Sequence, residues 1–96
     1  MDLGNKVTLY GRFCTVQANT NGEIGTKAEF KWRKKGDLYC ATFLSVDDAW
    51  IEVRVSEEVY NEAYKNLKNP YYRIEGRICT EVGFGSGIVR NYILID

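Results

Sequence analysis

From Lys6 to the end of the chain, segments in which apolar and polar residues alternate recur, and only one stretch between them takes a helical period. Successive side chains of a strand point to opposite faces, so a period of two marks a half-buried strand. In residues 6–17, Val7, Leu9, Gly11 and Phe13 fall on one parity and Lys6, Thr8, Tyr10 and Arg12 on the other. A glycine inside such a run, Gly11, predicts a bulge or a sharp bend, as at the corner of a small barrel. Residues 18–25 cluster Asn, Thr and Gly and read as a loop. A strand over 26–33, a turn over 34–37 with Gly36 as punctuation, and a second strand over 38–46 follow. The first of these puts Phe30 and Trp32 on one parity and charged groups on the other. The second is apolar on both parities, which marks a central strand. Asp47-Asp48 makes a short turn, and over 50–55 Ile51, Val53 and Val55 alternate with Trp50, Glu52 and Arg54.

At Ser56 the period shifts to about 3.6. Ser56 suits an N-cap, and Glu57 and Glu58 follow where the helix dipole favours carboxylates. Val59, Ala63 and Leu67 lie four apart on one stripe with Tyr60 and Tyr64 beside it, and Asn69-Pro70 stops the helix. Alternation resumes over 71–80, with Tyr72, Ile74, Gly76 and Ile78 on one face and Arg73, Glu75 and Arg77 on the other. Gly83, Gly85 and Gly87, with Phe84 and Ser86 between them, make a hairpin tip before a last strand over 88–95. The expected fold is therefore all-β with one helix, in a single domain spanning 1–96. One helix between the third and fourth main strands is the layout of a five-stranded antiparallel OB-fold barrel, whose face and loops commonly bind oligonucleotides. A ferredoxin-like fold needs a second helix, and no other segment has helical period.

Composition narrows the chemistry. The 96 residues include 13 Lys+Arg and 13 Asp+Glu, so the net charge is zero and any anion site must be a local patch. There is no histidine, which excludes Ser-His and Cys-His nucleophile pairs and the histidine-containing zinc sites. Cys14, Cys40 and Cys79 are scattered and lack CxxC spacing, so buried free thiols in a reducing compartment are expected. No metal and no cofactor are expected. The start of the chain has neither the basic nor the apolar region of a signal peptide, and no apolar run approaches a membrane span; a cytoplasmic protein follows. Asp47-Asp48 and Glu57-Glu58 are sequence neighbours that point apart, so neither forms an acid–base dyad. The spaced glycines at 83–87 precede no helix and do not match GxGxxG. No catalytic residues are assigned, and an enzyme is not expected.

The functional signal is basic and aromatic. Lys27, Lys31, Arg33, Lys34 and Lys35 lie within nine residues that contain one acid, Glu29. On a hairpin, such side chains reach successive phosphates; the alternative is an edge strand whose lysines discourage pairing. Single-strand binders also stack bases on exposed rings. Trp50 shares its parity with Glu52 and Arg54, Phe84 stands on the glycine tip, and Trp32 lies inside the basic stretch. For each ring the alternative is the core or a subunit interface. Phe13, Phe43, Tyr60, Tyr64 and Tyr72 are assigned to the core. Arg12, Arg54, Arg73 and Arg77 fall on outward parities where surface ion pairs are the default, and Arg54 is the most attractive phosphate contact because it shares a face with Trp50.

Asn5-Lys6-Val7-Thr8-Leu9-Tyr10-Gly11-Arg12 resembles the opening strand of the bacterial single-stranded-DNA-binding protein family, and Glu75-Gly76-Arg77-Ile78-Cys79-Thr80 resembles its strand after the helix. Trp50 stands where that family has a tryptophan. The resemblance spans nearly the whole chain. Asp47-Asp48 replaces a long hairpin, Ser56 stands where an aromatic is common, and the family's acidic-tipped tail is lacking, so recruitment of other proteins through such a tail is not expected. A short tailless member is implied, similar to primosomal replication or phage and plasmid versions. The resemblance implies binding of single-stranded DNA in replication, repair or recombination, and a homo-oligomer, dimer or tetramer. RNA is a possible ligand in place of DNA. The alternative is an OB-fold protein–protein module that uses the same rings and basic hairpin on a partner protein.

Overall fold

The computed structural model describes residues 6–18, 24–27, 30–69 and 71–96. The elements are β1 (Lys6–Ala18), β2 (Ile24–Lys27), β3 (Arg33–Lys35), β4 (Leu38–Ser45), β5 (Trp50–Ser56), a helical segment, β6 (Tyr71–Val82) and β7 (Val89–Ile95). The fold is mostly β with one short helical segment. Five strands close a ring in the order β1, β6, β7, β5, β4, with β4 returning to β1. β2 extends β1, and β3 extends β4. One ring pairing, β5 with β7, is parallel, so the ring is not wholly antiparallel.

The ring can close because β1 changes partner. Gly11 is opposite Tyr72 on β6 and Ser45 on β4 at once. A Cβ there would lie 2.1 Å from the Leu44 carbonyl oxygen, a separation that excludes every side chain. The mid-strand glycine thus marks the expected corner. Gly76 does the same against β7, where a Cβ would meet the Leu94 carbonyl at 2.6 Å.

Phe13, Phe43, Val53, Val55 and Ile74 are fully buried inside the ring. Phe13 is the hub, with the rings of Phe43, Phe30, Trp32, Tyr64 and Tyr72 all within 6.5 Å of its centroid. The aromatics assigned to the core are all in or against it.

Three boundaries differ from those read in the sequence. Residues 18–25 are not all loop, because Ala18 and Gln17 pair with Ile24 and Gly25. The strand expected over 26–33 is instead two short strands, with residues 30–32 irregular between them. There Phe30 and Trp32 turn inward onto Phe13. The helix is also shorter than 56–69. Ser56 caps it, its Oγ accepting from the Val59 amide at 3.4 Å, as expected. After one α-turn (Glu57–Val59) it widens to a π-turn (Tyr60–Tyr64), which the Lys65 amide closes on the Tyr60 carbonyl at 2.8 Å. Tyr60 and Tyr64 both turn their rings to Trp32, and Tyr60 stacks on Tyr39 at 3.6 Å. Aromatic packing, not helix length, fixes this segment. No helix of the described residues is long and apolar enough to cross a membrane.

Candidate nucleic-acid interface

The outer face of β4 and β5 is the natural starting point, because their inner faces are filled by the core. Residues directly opposite in an antiparallel pair share a face. Trp50 is opposite Leu44, Leu44 is opposite Arg12, and Arg12 is opposite Tyr71. One row thus crosses four strands on the outside of the ring. Trp50 is 44% exposed and Tyr71 63%. Tyr10 and Val46 are exposed beside it, joined by a bond from the Val46 amide to the Tyr10 carbonyl at 2.8 Å. Arg73 reaches both Tyr10 and Glu75, which raise its pKa. The tight β4–β5 turn sets this row: the Ser45 Oγ accepts from the Ala49 amide at 3.1 Å, and Asp48 adopts a positive φ of 63°. Trp50 therefore stands where its parity placed it.

Further along the same face the charges are largely paired. Arg54 does not offer its guanidinium to solvent as its parity suggested; it is 5% exposed. Its Nε donates to Glu52 at 2.9 Å and its Nη2 to Glu81 at 2.6 Å, and the guanidinium lies 3.8 Å above the Tyr92 ring. Burial alone would lower its pKa; the hydrogen bonds to Glu81 and Glu52 outweigh burial and raise it. Glu81 in turn is held below the usual carboxylate range by Arg54 and Lys35. Arg54 is held in a clamp between two carboxylates and a ring, and is not presented to solvent. The missing signal was Glu81, which lies 27 residues away and meets Arg54 only after the ring closes.

The basic stretch is divided by strand alternation. Arg33 and Lys35 lie on the outer face, whereas Lys34 sits on the opposite one, with its Nζ 5.5 Å from the Tyr39 ring. A single track through all four hairpin cations is therefore not formed. Lys35 pairs with Glu81 at 3.3 Å, and Arg33 lies 3.9 Å from Glu52. Lys31 is exposed and forms no ion pair among the described residues. Lys27 ends β2, and its side chain lies outside the described residues. Trp32 is partly buried in the aromatic cluster and is not on the face of Trp50.

Phe84 is fully exposed on the β6–β7 tip, which Gly85 and Gly87 form with φ of 79° and 68°. The ion pair to Glu81 brings Lys35 against this hairpin, and the two elements line a cleft of about 270 Å³ with Ser86, Ile88 and Arg90. Lys35 and Trp50 lie at opposite ends of β4, opposite Leu38 and Leu44, and Phe84 stands apart at the hairpin tip. Tyr10 and Tyr71 are additions that the sequence reading passed over, although the parity of Tyr71 opposite core-facing Tyr72 was a usable signal. The thiols of Cys14 and Cys40 are buried and their pKa values pushed up, while Cys79 is partly exposed. No three His, Cys, Asp or Glu side chains among the described residues are grouped to hold a metal ion.

Among known proteins, no family model matches the chain, and no curated relative or solved structure matches it.

Proposed function

We infer that the chain is a small OB-fold barrel that binds single-stranded DNA with little sequence preference, without a cofactor. The ring order, the parallel β5–β7 pairing and the helical segment between β5 and β6 support that fold reading. The observation that carries the functional reading is the exposed row Trp50–Leu44–Arg12–Tyr71. Two rings flank a cation on one outer face, and a strand needs such platforms for its bases and charge for its backbone. The resemblance to the bacterial single-stranded-DNA-binding family adds the expectations of replication, repair or recombination and of a homo-oligomer.

The test is tryptophan fluorescence during titration with oligo-dT. Stacking on Trp50 quenches its emission, while Trp32, packed against Phe13, serves as the internal reference. Trp50→Ala should weaken binding by roughly 5- to 150-fold, the worth of one stacked base at about 1–3 kcal/mol. Unchanged affinity in that variant would remove the row from the site.

One observation favours the alternative, a protein–protein module. Beyond Arg77 the β6–β7 hairpin leaves β1, and Ile78, Val82, Phe84, Ile88 and Val89 are exposed on it. Sedimentation of the wild type and of Val82→Ser tells whether this hairpin holds copies of the chain together.

A further inference from the structure

β1 and β3 both pair with the same edge of β4, but they do not meet. β1 accompanies β4 from Ser45 to Thr42 and then leaves it to pair with β2, starting at Thr15. β3 joins that edge only from Cys40 onward. Ala41 is passed over by both, and the sheet forks there. The fork opens a cleft of about 460 Å³ lined by Cys14, Thr15, Lys31, Arg33, Ala41 and Thr42. Its size lies in the range of small-molecule sites, roughly 300–1,000 Å³.

The lining has a one-sided chemistry. Among the described residues it offers two cationic side chains and two hydroxyls and no carboxylate. Among the described residues the carboxylate nearest Arg33 is Glu52 at 3.9 Å, beyond hydrogen-bond reach, so its donors are not consumed there. Glu52 is itself engaged by Arg54 at 2.8 Å. Lys31 has no ion-pair partner among the described residues. The buried Cys14 beside them has a raised pKa and is a neutral thiol at pH 7, so it does not repel an anion. Cations and hydroxyl donors lining one cleft are the donor set that a phosphate oxyanion requires.

We propose that this fork is a discrete phosphate-binding subsite, in which Lys31 and Arg33 supply charge and Thr15 and Thr42 donate hydrogen bonds to the phosphate oxygens. It rests on the single-strand reading in one respect: the phosphate is taken as one of a bound strand, either an internal diester or a terminal monoester. The site fixes the position of the strand on the outer face while Trp50 and Tyr71 hold bases.

The test combines anisotropy of labelled oligo-dT, with and without a 5′-phosphate, and amide chemical shifts on adding inorganic phosphate. Lys31 is exposed and Thr42→Val conserves shape and strand propensity, so both Lys31→Ala and Thr42→Val should fold. Each is expected to weaken strand binding several-fold, and Lys31→Ala to flatten the log–log salt slope by about 0.7, one phosphate's worth on a single strand. Inorganic phosphate is expected to shift the amides of Thr15, Lys31, Arg33 and Thr42. A loss confined to the 5′-phosphorylated oligomer assigns the fork to a terminal phosphate, and an equal loss in both assigns it to an internal one; either supports the subsite. Full affinity in both variants with no phosphate-induced shifts overturns the subsite and leaves strand binding through Trp50 standing. Shifts at the fork without any strand binding support the subsite and overturn the strand reading. Neither shifts nor binding overturns both.

Discussion

Arg54 shows how far a residue's role depends on what the fold brings to it. By parity it is an outward arginine; in place it is buried between Glu52, Glu81 and the Tyr92 ring. Losing it leaves two carboxylates facing each other beside an aromatic face. Arg54→Ala should destabilise the fold by about 3 kcal/mol, the low end for a broken buried pair because both carboxylates keep access to water. Urea unfolding measures it, and a change within 0.5 kcal/mol, as at an ordinary surface site, would contradict the clamp. The same network predicts a pH dependence. The pKa of Glu81 is lower in the fold than its ordinary 4.5, so its contribution is whole above that value and is lost as pH falls through the folded one. Glu81→Gln should therefore flatten the fall of stability with acid below about pH 4.5, read from urea midpoints between pH 3 and 6. Tyr64 gives the mirror case at high pH. Burial pushes its pKa up to about 12 from 10, so its contribution is whole below pH 10 and is lost between pH 10 and 12.

At the scale of elements, glycine and aromatic packing decide more than propensity. Gly11→Ala places a methyl group on the Leu44 carbonyl, so β1 must leave β6 or β4. A loss of at least 3 kcal/mol is expected in chemical unfolding, whereas Gly36→Ala, with nothing within 4 Å of the new Cβ, should cost about 1 kcal/mol or less from its positive φ alone. β1, β5, β6 and β7 were legible within a residue or two because alternation records a core face and an outer face, and β4 because a run apolar on both parities marks a central strand. The Gly11 corner was legible for the same reason: only a close approach of backbone puts a glycine there. The segment from 24 to 35 was not. Phe30 and Trp32 carry strand parity, yet they serve the Phe13 cluster from irregular backbone. The helical segment was legible at Ser56, where capping is local chemistry. Its end was not, because the π-turn answers to Tyr39 and Trp32, both distant in sequence.

For the molecule as a whole, charge balance constrains function most. A neutral chain spends most of its outer-face cations on its own carboxylates: Arg54, Lys35 and Arg77 all hold acidic partners. What remains for a polyanion is local, chiefly Lys31 and Arg33 at the fork with the Trp50 row beyond. In the candidate site, Trp50 was legible because parity decides its face. The division of Lys34 from Lys35 was equally available from alternation, whereas the fork was not, since it arises where two strands share one edge of a third. Few phosphates should therefore be contacted, and the salt dependence should be shallow. The most direct measurement is anisotropy of labelled oligo-dT against wild-type protein over a salt series, with duplex of the same length as control. The account predicts preference for the single strand and a log–log slope of about −2 to −3, the release expected from three or four phosphates on a single strand. No binding at low salt, or equal binding of the duplex, would contradict it.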